Sequence, residues 1–450
     1  MTVRFRQIIV AAACLGAALL PCSAADALSW DKSADRVDAS IETWTVPQML
    51  RRVAASTGWE IYLDPEIKTR VTTKFTDKKQ GDALKRLLGD YNYALVPETN
   101  GSSKFFVFRN TRAQATQMIE PLASKSSTNR IGNELVVTLK PGEKIEDLAK
   151  RLGAKIVGRS DGQNTYRLRF EDDRSADTAR SKLEGDPAVE SVDSNYYVSR
   201  PESSQALGVG GPPIGLNPKL SQDGKSLIVG MIDSAMQPKQ GGFSAFLADG
   251  ASIDPETASL EPTHGDTMVG VFFSGLDSLS KDDSTIARLY PVNVFGNNET
   301  TSTYDIAVGL YKAAEGKSII FSMPLGGDGD SSFLHNTIKS IYEQGGVLIG
   351  AGGNTPTTLP TYPAAYPEVI AVGAKARNGD IASYSNRGAF IDVWAPGDGF
   401  VTFNGQRFYV AGTSASTSYA ASLAVYLAEK QGLRGAQLRQ AVVQSLTGKK

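Results

Sequence analysis

Apolar positions recur along this chain in distinct rhythms, and each rhythm marks a separate body. From Ile41 to Arg109, short alternating runs surround two stretches of helical spacing. These are Met49, Leu50, Val53 and Ala54 after Pro47, and the residues from Ala83 to Leu88. Strands are predicted at Glu60–Leu63 and Val71–Phe75, and the pair Tyr93–Val96 and Phe105–Phe108 flanks Asn100-Gly101, a hairpin-turn signal. Residues 40–110 therefore read as a small α+β domain. Between Thr111 and Arg130 the chain is polar without a sustained period, which predicts a linker. Over 131–199 the predicted order is strand Glu134–Leu139, helix Ile145–Leu152, strands Lys155–Val157 and Tyr166–Phe170, helix Ala176–Leu183 and strand Val189–Val198. That β-α-β-β-α-β succession is the ferredoxin-like split order.

Residues 200–224 are rich in Gly, Pro and Ser and predict an exposed connector open to proteolysis. Over 225–450, continuous apolar runs at Leu227–Ile232, Ile286–Val294, Ser318–Met323, Val347–Ala351 and Val369–Val372 alternate with helical stretches at Tyr304–Ala314 and Leu334–Gln344. Alternation of buried strands with helices predicts a mostly parallel, doubly wound α/β domain. The fold class is thus α/β, preceded by two small α+β domains. Catalytic groups in such sheets gather at the C-terminal strand ends, where Asp233 and Asn354 fall.

The first residues change the setting. Arg4 and Arg6, the apolar stretch Ile8–Leu20, Pro21 and the small residues Ser23–Ala27 have the form of a secretory signal peptide over 1–27. The apolar stretch falls short of the ~20 residues a membrane-spanning helix needs, and no later run is longer, so no membrane span is expected after cleavage. Both cysteines, Cys14 and Cys22, lie in that segment, so the mature chain is expected to hold no thiol, disulfide or cysteine metal site. Pro21 argues against lipidation of Cys22. A net charge of -1 without a long block of one sign points to neither nucleic acid nor an anionic membrane surface as partner.

Candidate chemistry follows from scarcity. The chain has only 2 histidines, so activating a hydroxyl near neutral pH falls to His264 or His335. His264 stands in Thr263-His264-Gly265 before the apolar run Met268–Phe273, whereas His335 lies in a polar, Ser-rich helix start and is assigned to the surface. Asp233 ends an apolar strand, and Ser414 opens a helix whose Ala420, Ala421 and Ala424 permit close packing. Each residue alone reads as structural: a turn acid, a buried histidine, a helix cap. Acid, base and hydroxyl in that chain order form a subtilisin-type triad. The backbone N–H of Ser414 and the Asn354 amide are then suited to an oxyanion.

From Lys225 onward the chain resembles the subtilisin-like serine proteases, the subtilases. Besides the triad segments, the likeness rests on Met323-Pro324-Leu325-Gly326-Gly327, Ala351-Gly352-Gly353-Asn354, the run Tyr362–Ala374, Tyr384-Ser385-Asn386-Arg387-Gly388 and Ala395-Pro396-Gly397. The resemblance implies a subtilisin-like doubly wound sheet. It implies Asp233 as orienting acid, His264 as general base, Ser414 as nucleophile and Asn354 as oxyanion donor. It further implies Leu325, Gly326, Gly327, Ala351, Gly352 and Gly353 as walls of an apolar specificity pocket, with Thr361 near its floor. Residues 131–199 resemble subtilase propeptides, notably at Leu139-Lys140-Pro141-Gly142 and Ala188–Val192 before Asn195-Tyr196. A self-made intramolecular inhibitor, cut off within 199–224, is implied. Residues 40–110 resemble the short N-terminal domain of secretins and TonB-dependent receptors at Thr57-Gly58-Trp59 and Asp64-Pro65. That implies docking to an envelope protein and a periplasmic or secreted location.

Departures from the family pattern are Ala235, Thr267 and Ser418, none of which removes a catalytic atom. No cofactor is expected, because Asp277, Asp282 and Asp283 read as a solvated loop rather than a structural calcium cage. The expected activity is hydrolysis of polypeptides by an exported, self-processing endopeptidase. The alternative is a catalytically weak or inactive binding protein of the envelope on the same fold. An esterase reading lacks a Gly-x-Ser-x-Gly elbow.

Overall fold

The computed structural model describes residues 27–31, 35–67, 69–97, 103–119, 129–201, 205–220, 224, 226–251, 259–280 and 282–447. The predicted signal segment, apart from Ala27, lies outside them. The chain divides into a unit of residues 1–127 and a unit of residues 128–450.

In the first unit, β1 (Ala27–Asp31), β2 (Arg36–Thr45), α1 (Val46–Thr57), β3 (Glu60–Leu63), β4 (Arg70–Lys78), α2 (Gln80–Leu88), β5 (Asn92–Pro97), β6 (Ser103–Phe108) and β7 (Gln117–Ile119) build two sheets, ordered β1-β2-β4 and β5-β6-β3-β7. One core joins Val37 and Trp44, Leu50 and Val53 of α1, Leu84 and Leu87 of α2, and Ile61, Phe105 and Val107. Helical spacing on α1 and α2 exists because each turns one stripe into that core. The strands β5 and β6 pair antiparallel as predicted, while Asn100-Gly101 lies outside the described residues. The expected linker Thr111–Arg130 differs: it contributes β7, which pairs with β3 and buries Ile119. A strand this short carries no readable period.

The second unit begins with β8 (Arg130–Leu139), α3 (Ile145–Leu152), β9 (Lys155–Ser160), β10 (Thr165–Arg169), α4 (Asp173–Leu183) and β11 (Val189–Ser199). The order β11-β8-β10-β9 is antiparallel throughout, over a core of Leu135, Val137, Leu148, Leu168 and Ala176. Strand β11 does not stop at its own sheet. Tyr197, Val198 and Ser199 go on to pair with Ser302, Thr301 and Thr300 of the following body.

That body is laid out as β12 (Gln205–Gly210), β13 (Asn217–Pro218), β14 (Leu227–Asp233), α5 (His264–Leu279), β15 (Ser284–Thr285), β16 (Ala287–Asn293), β17 (Thr300–Ser302), α6 (Thr303–Glu315), β18 (Ile320–Met323), α7 (Ser332–Glu343), β19 (Val347–Ala351), β20 (Val369–Lys375), β21 (Val393–Pro396), β22 (Asp398–Phe403), β23 (Gln406–Ala411), α8 (Thr413–Gln431) and α9 (Gly435–Thr447). A six-stranded parallel sheet, β16-β14-β18-β19-β20-β21, is packed by α5, α8 and α9 in one core and by α6 and α7 in another. Fully buried strands on both faces account for the continuous apolar runs.

The predicted exposed connector 200–224 is more structured than its composition suggests. β12 pairs with β23, and β13 pairs with β15. Gly208, at φ 66, sits in a register shift of β12, and an added Cβ at Gly211 would meet Thr402 Oγ1 at 2.2 Å. The glycines here serve a bulge and a close approach rather than flexibility alone.

Candidate active site

Asp233 is the last residue of β14 and His264 the first of α5, so strand end and helix start meet. Asp233 is fully buried, and its carboxylate oxygens stand 2.8 and 3.0 Å from His264 Nδ1. Asp233 Oδ1 also accepts from the Ser234 N–H at 2.6 Å. With the carboxylate ionised, Nδ1 carries the donated proton and Nε2 is left as the acceptor.

Why His264 stays there is a matter of local chemistry. Thr263 and Asp266 form a capping box at the start of α5. Asp266 is buried and accepts from Gln237 N at 2.6 Å, Gln237 Nε2 at 2.9 Å and Thr263 N at 3.0 Å. Burial pushes its pKa up, against the hydrogen bonds that lower it. Thr263 Oγ1 donates to the Ala235 carbonyl at 2.6 Å, and Gly265 N donates to Ser234 Oγ at 3.0 Å. The loop after Asp233 is thereby stitched to the turn that presents His264. Thr267, one of the departures, donates to the His264 carbonyl at 2.8 Å.

Ser414 is the second residue of α8 and buried; its Oγ donates to the Pro324 carbonyl at 2.8 Å. The helix passes beneath the sheet on Ala420, Ala421 and Ala424, all fully buried. Ser418, another departure, is buried with an Oγ that has no hydrogen-bond partner among the described residues. Asn354 is exposed, and its Oδ1 accepts from Thr413 N at 2.8 Å and Thr413 Oγ1 at 2.9 Å. The Asn354 amide is thus fixed with Nδ2 on its other side.

Segments expected as specificity walls meet at Thr361. Gly326, Gly353 and Thr361 converge: a Cβ on Gly326 would lie 2.7 Å from Thr361 Cγ2, and one on Gly353 would lie 2.9 Å from Thr361 Oγ1. Ala351 borders them through its carbonyl. Leu325, in contrast, turns its side chain into the core, and Gly352 backs onto Ile391, so these two offer backbone alone. Gly327 faces the chain's own β11, with Val198 Cγ2 3.4 Å from the place of a Cβ. His335 Nε2 lies 3.0 Å from Glu368 and its ring stacks on Tyr366 at 4.3 Å, apart from the other residues.

Sequence reasoning missed Thr413, the Pro324 carbonyl and the Gln237–Asp266 contact. Only the Thr263-x-x-Asp266 spacing was a signal. Among the described residues no group of three or more His, Cys, Asp and Glu is placed to hold a metal; Asp282 is paired with Lys430 at 2.6 Å.

Residues 117–195 match the fervidolysin N-terminal prodomain, and residues 224–450 match the subtilase family. The chain is 35% identical over 160 residues to a thermophilic serine proteinase of Bacillus sp. (strain AK1), covering 35% of this chain and 40% of that protein. It is 32% identical over 158 residues to thermitase of Thermoactinomyces vulgaris, covering 35% and 56%. With the minor extracellular protease Epr of Bacillus subtilis (strain 168) it shares 28% over 222 residues, 47% and 33% of the two chains. The matches thus span 33% to 56% of these relatives' lengths. Among solved structures, fervidolysin from Fervidobacterium pennivorans shares the fold at TM-score 0.54 and 17% identity, over 69% of this chain and 56% of that one. An epidermin leader peptide processing serine protease from Staphylococcus aureus does so at 0.52 and 13%, over 67% and 89%. Since the subtilase match takes in about half of the chain, and within it Asp233, His264, Asn354 and Ser414, this protein belongs to the subtilase family.

Proposed function

We propose that this protein is an exported serine endopeptidase, made as a precursor that cuts itself. The observation that carries the reading is the contact of His264 Nδ1 with the buried Asp233 carboxylate, which leaves Nε2 free to take a proton. Ser414 attacks the peptide carbonyl, His264 takes its proton and returns it to the leaving amine, and Asp233 holds the ring and balances its charge. Asn354 Nδ2 and the Ser414 N–H stabilise the oxyanion. In the uncut chain the Ser414 hydroxyl is engaged by Pro324, so a turn about its Cα–Cβ bond precedes attack.

The 130–199 body acts as the inhibitor. Its β11 runs along β17 and covers Gly327, where a substrate would lie. The cut falls after β11 and before β12. The signal peptide directs export, and the 40–110 domain serves as an envelope docking module of the secretin and TonB type; this last point rests on its sequence motifs.

Expression of the chain and its Ser414→Ala variant, with labelling by a serine-reactive phosphonate and N-terminal sequencing of the products, tests the proposal. A shortened, labelled wild type beside a full-length, unlabelled variant is expected. An unlabelled wild type that stays full-length sinks it.

A further inference from the structure

Two stretches of the chain flank the cut, and the second occupies a groove of its own. β23 ends at Ala411, directly before the helix that carries Ser414. β12 lies antiparallel on its edge, with Gln205 opposite Tyr409, Ala206 opposite Phe408 and Gly210 opposite Gln406. Gln205 is therefore the end nearer the site, and the chain runs away from it, as the leaving-group side of a bound polypeptide must.

Beneath the bulge of β12 lies a cavity of about 560 Å³, lined by Leu207 together with Arg377, Tyr384, Asp398, Phe400 and Tyr409. Its far walls hold one another without Leu207. Arg377 Nε bonds Asp398 at 2.6 Å and lies over the Phe400 ring at 4.9 Å, while Tyr384 OH donates to the Gly397 carbonyl at 2.7 Å. Satisfied polar groups and aromatic faces favour an apolar side chain.

β12 itself is weakly held. Ala206 to Gly210 are exposed, the register breaks between Ala206 and Gly210, and Gly208 and Gly210 bring no side chain. A strand of this kind opens at small cost.

The geometry points to the β23 edge and the Arg377–Tyr409 cavity as a distal binding groove for the leaving-group side of extended polypeptides with an apolar residue at the place of Leu207. β12 is its tethered occupant in the precursor and yields it after cleavage. Recognition is strand addition to a free edge, with one pocket for selectivity. The inference rests on the proteolytic reading above.

The test uses the processed protein and peptides identical up to the cut bond. A short peptide ends just past that bond, and a long one continues with the sequence Gln205–Gly211. The long peptide is expected to be cut with about tenfold higher kcat/KM, the scale of partly burying one Leu side chain together with its strand pairing. The long-to-short ratio falls to near one with a Leu207→Asp peptide or with Tyr409→Ala enzyme. Amide exchange at Arg407–Val410, fast after processing, is slowed by the long peptide. Equal cutting of long and short peptides, or a β23 edge that stays protected by β12 after processing, overturns the groove. If neither peptide is cut, the proteolytic reading fails, and exchange in a Leu207→Asp chain decides. Slowing by the long peptide upholds the groove, and no slowing overturns it.

Discussion

Thr413 donates twice to one atom of Asn354: its backbone N–H and its hydroxyl both reach Oδ1, at 2.8 and 2.9 Å. The same hydroxyl accepts from Gly353 N at 3.0 Å, so Thr413 fixes the orientation of the Asn354 amide and anchors the loop that presents it. Thr413→Val keeps the shape but removes the hydroxyl. We expect kcat to fall about tenfold with KM little changed, against the ~10²–10³-fold expected of Asn354→Leu. Steady-state kinetics on a peptide substrate check both values; a KM effect alone counts against the role.

Gly265 separates two strips of backbone that must touch. A Cβ there would meet the Ser234 carbonyl oxygen at 2.7 Å and that of Ala235 at 3.2 Å, and neither is the end of a flexible side chain. Gly265→Ala is expected to push His264 off Asp233 and lower kcat by about 100-fold, because sub-ångström triad displacements carry large rate penalties. Phosphonate labelling together with a thermal melt separates this from unfolding.

The prodomain-like body packs on the subtilase body by capping two of its helices. Asn195 Oδ1 accepts from Thr303 Oγ1 and Tyr304 N, both at 3.1 Å, at the start of α6. Asp193 Oδ2 accepts from Ser331 Oγ at 2.8 Å and Phe333 N at 2.9 Å, at the start of α7. Replacing both by Ala leaves buried donors unpaired, at about 1–3 kcal/mol each. We expect the processed enzyme to escape its cleaved inhibitor sooner, seen as a shorter lag before full activity. An unchanged lag refutes this.

Acid acts on the first unit through Asp64. This buried carboxylate accepts from Arg109 Nε at 2.9 Å and from Glu66 N at 3.1 Å. The Arg109 hydrogen bond holds its pKa below the usual value, in spite of burial. Its contribution is present above the ordinary unfolded carboxylate value, ~3.9, and is lost as pH falls through the lower folded value. Tryptophan fluorescence, reporting through Trp30, Trp44 and Trp59, is expected to show an acid transition that is shallower in Asp64→Asn.

What could be read from residues alone follows their physics. Continuous apolar runs announced β14, β18, β19 and β20 because these strands are buried on both faces. Asp233 and His264 were legible because each stands at the border of such a run, and the structure brings them into contact. β7, β12 and β13 were not, being too short or too rich in glycine to show a period. Thr413, Pro324 and Gln237 escaped notice for another reason. Their partners lie far off in sequence: Thr413 reaches Asn354, the Pro324 carbonyl takes Ser414, and Gln237 reaches Asp266. The direction of the Leu325 side chain was not legible, because an apolar residue beside two glycines suits a pocket and a core equally well, and packing turns it into the core.

Strand β11 is fastened to β17 and β12 to β23, so the chain is held on both sides of the proposed cut. Breaking one peptide bond there releases two tails that each regain chain entropy, and resealing would require both to be recaptured at once. On the proposed mechanism, maturation is a one-way ratchet: no external energy source drives it forward, and the geometry that held the bond in place is lost with the bond.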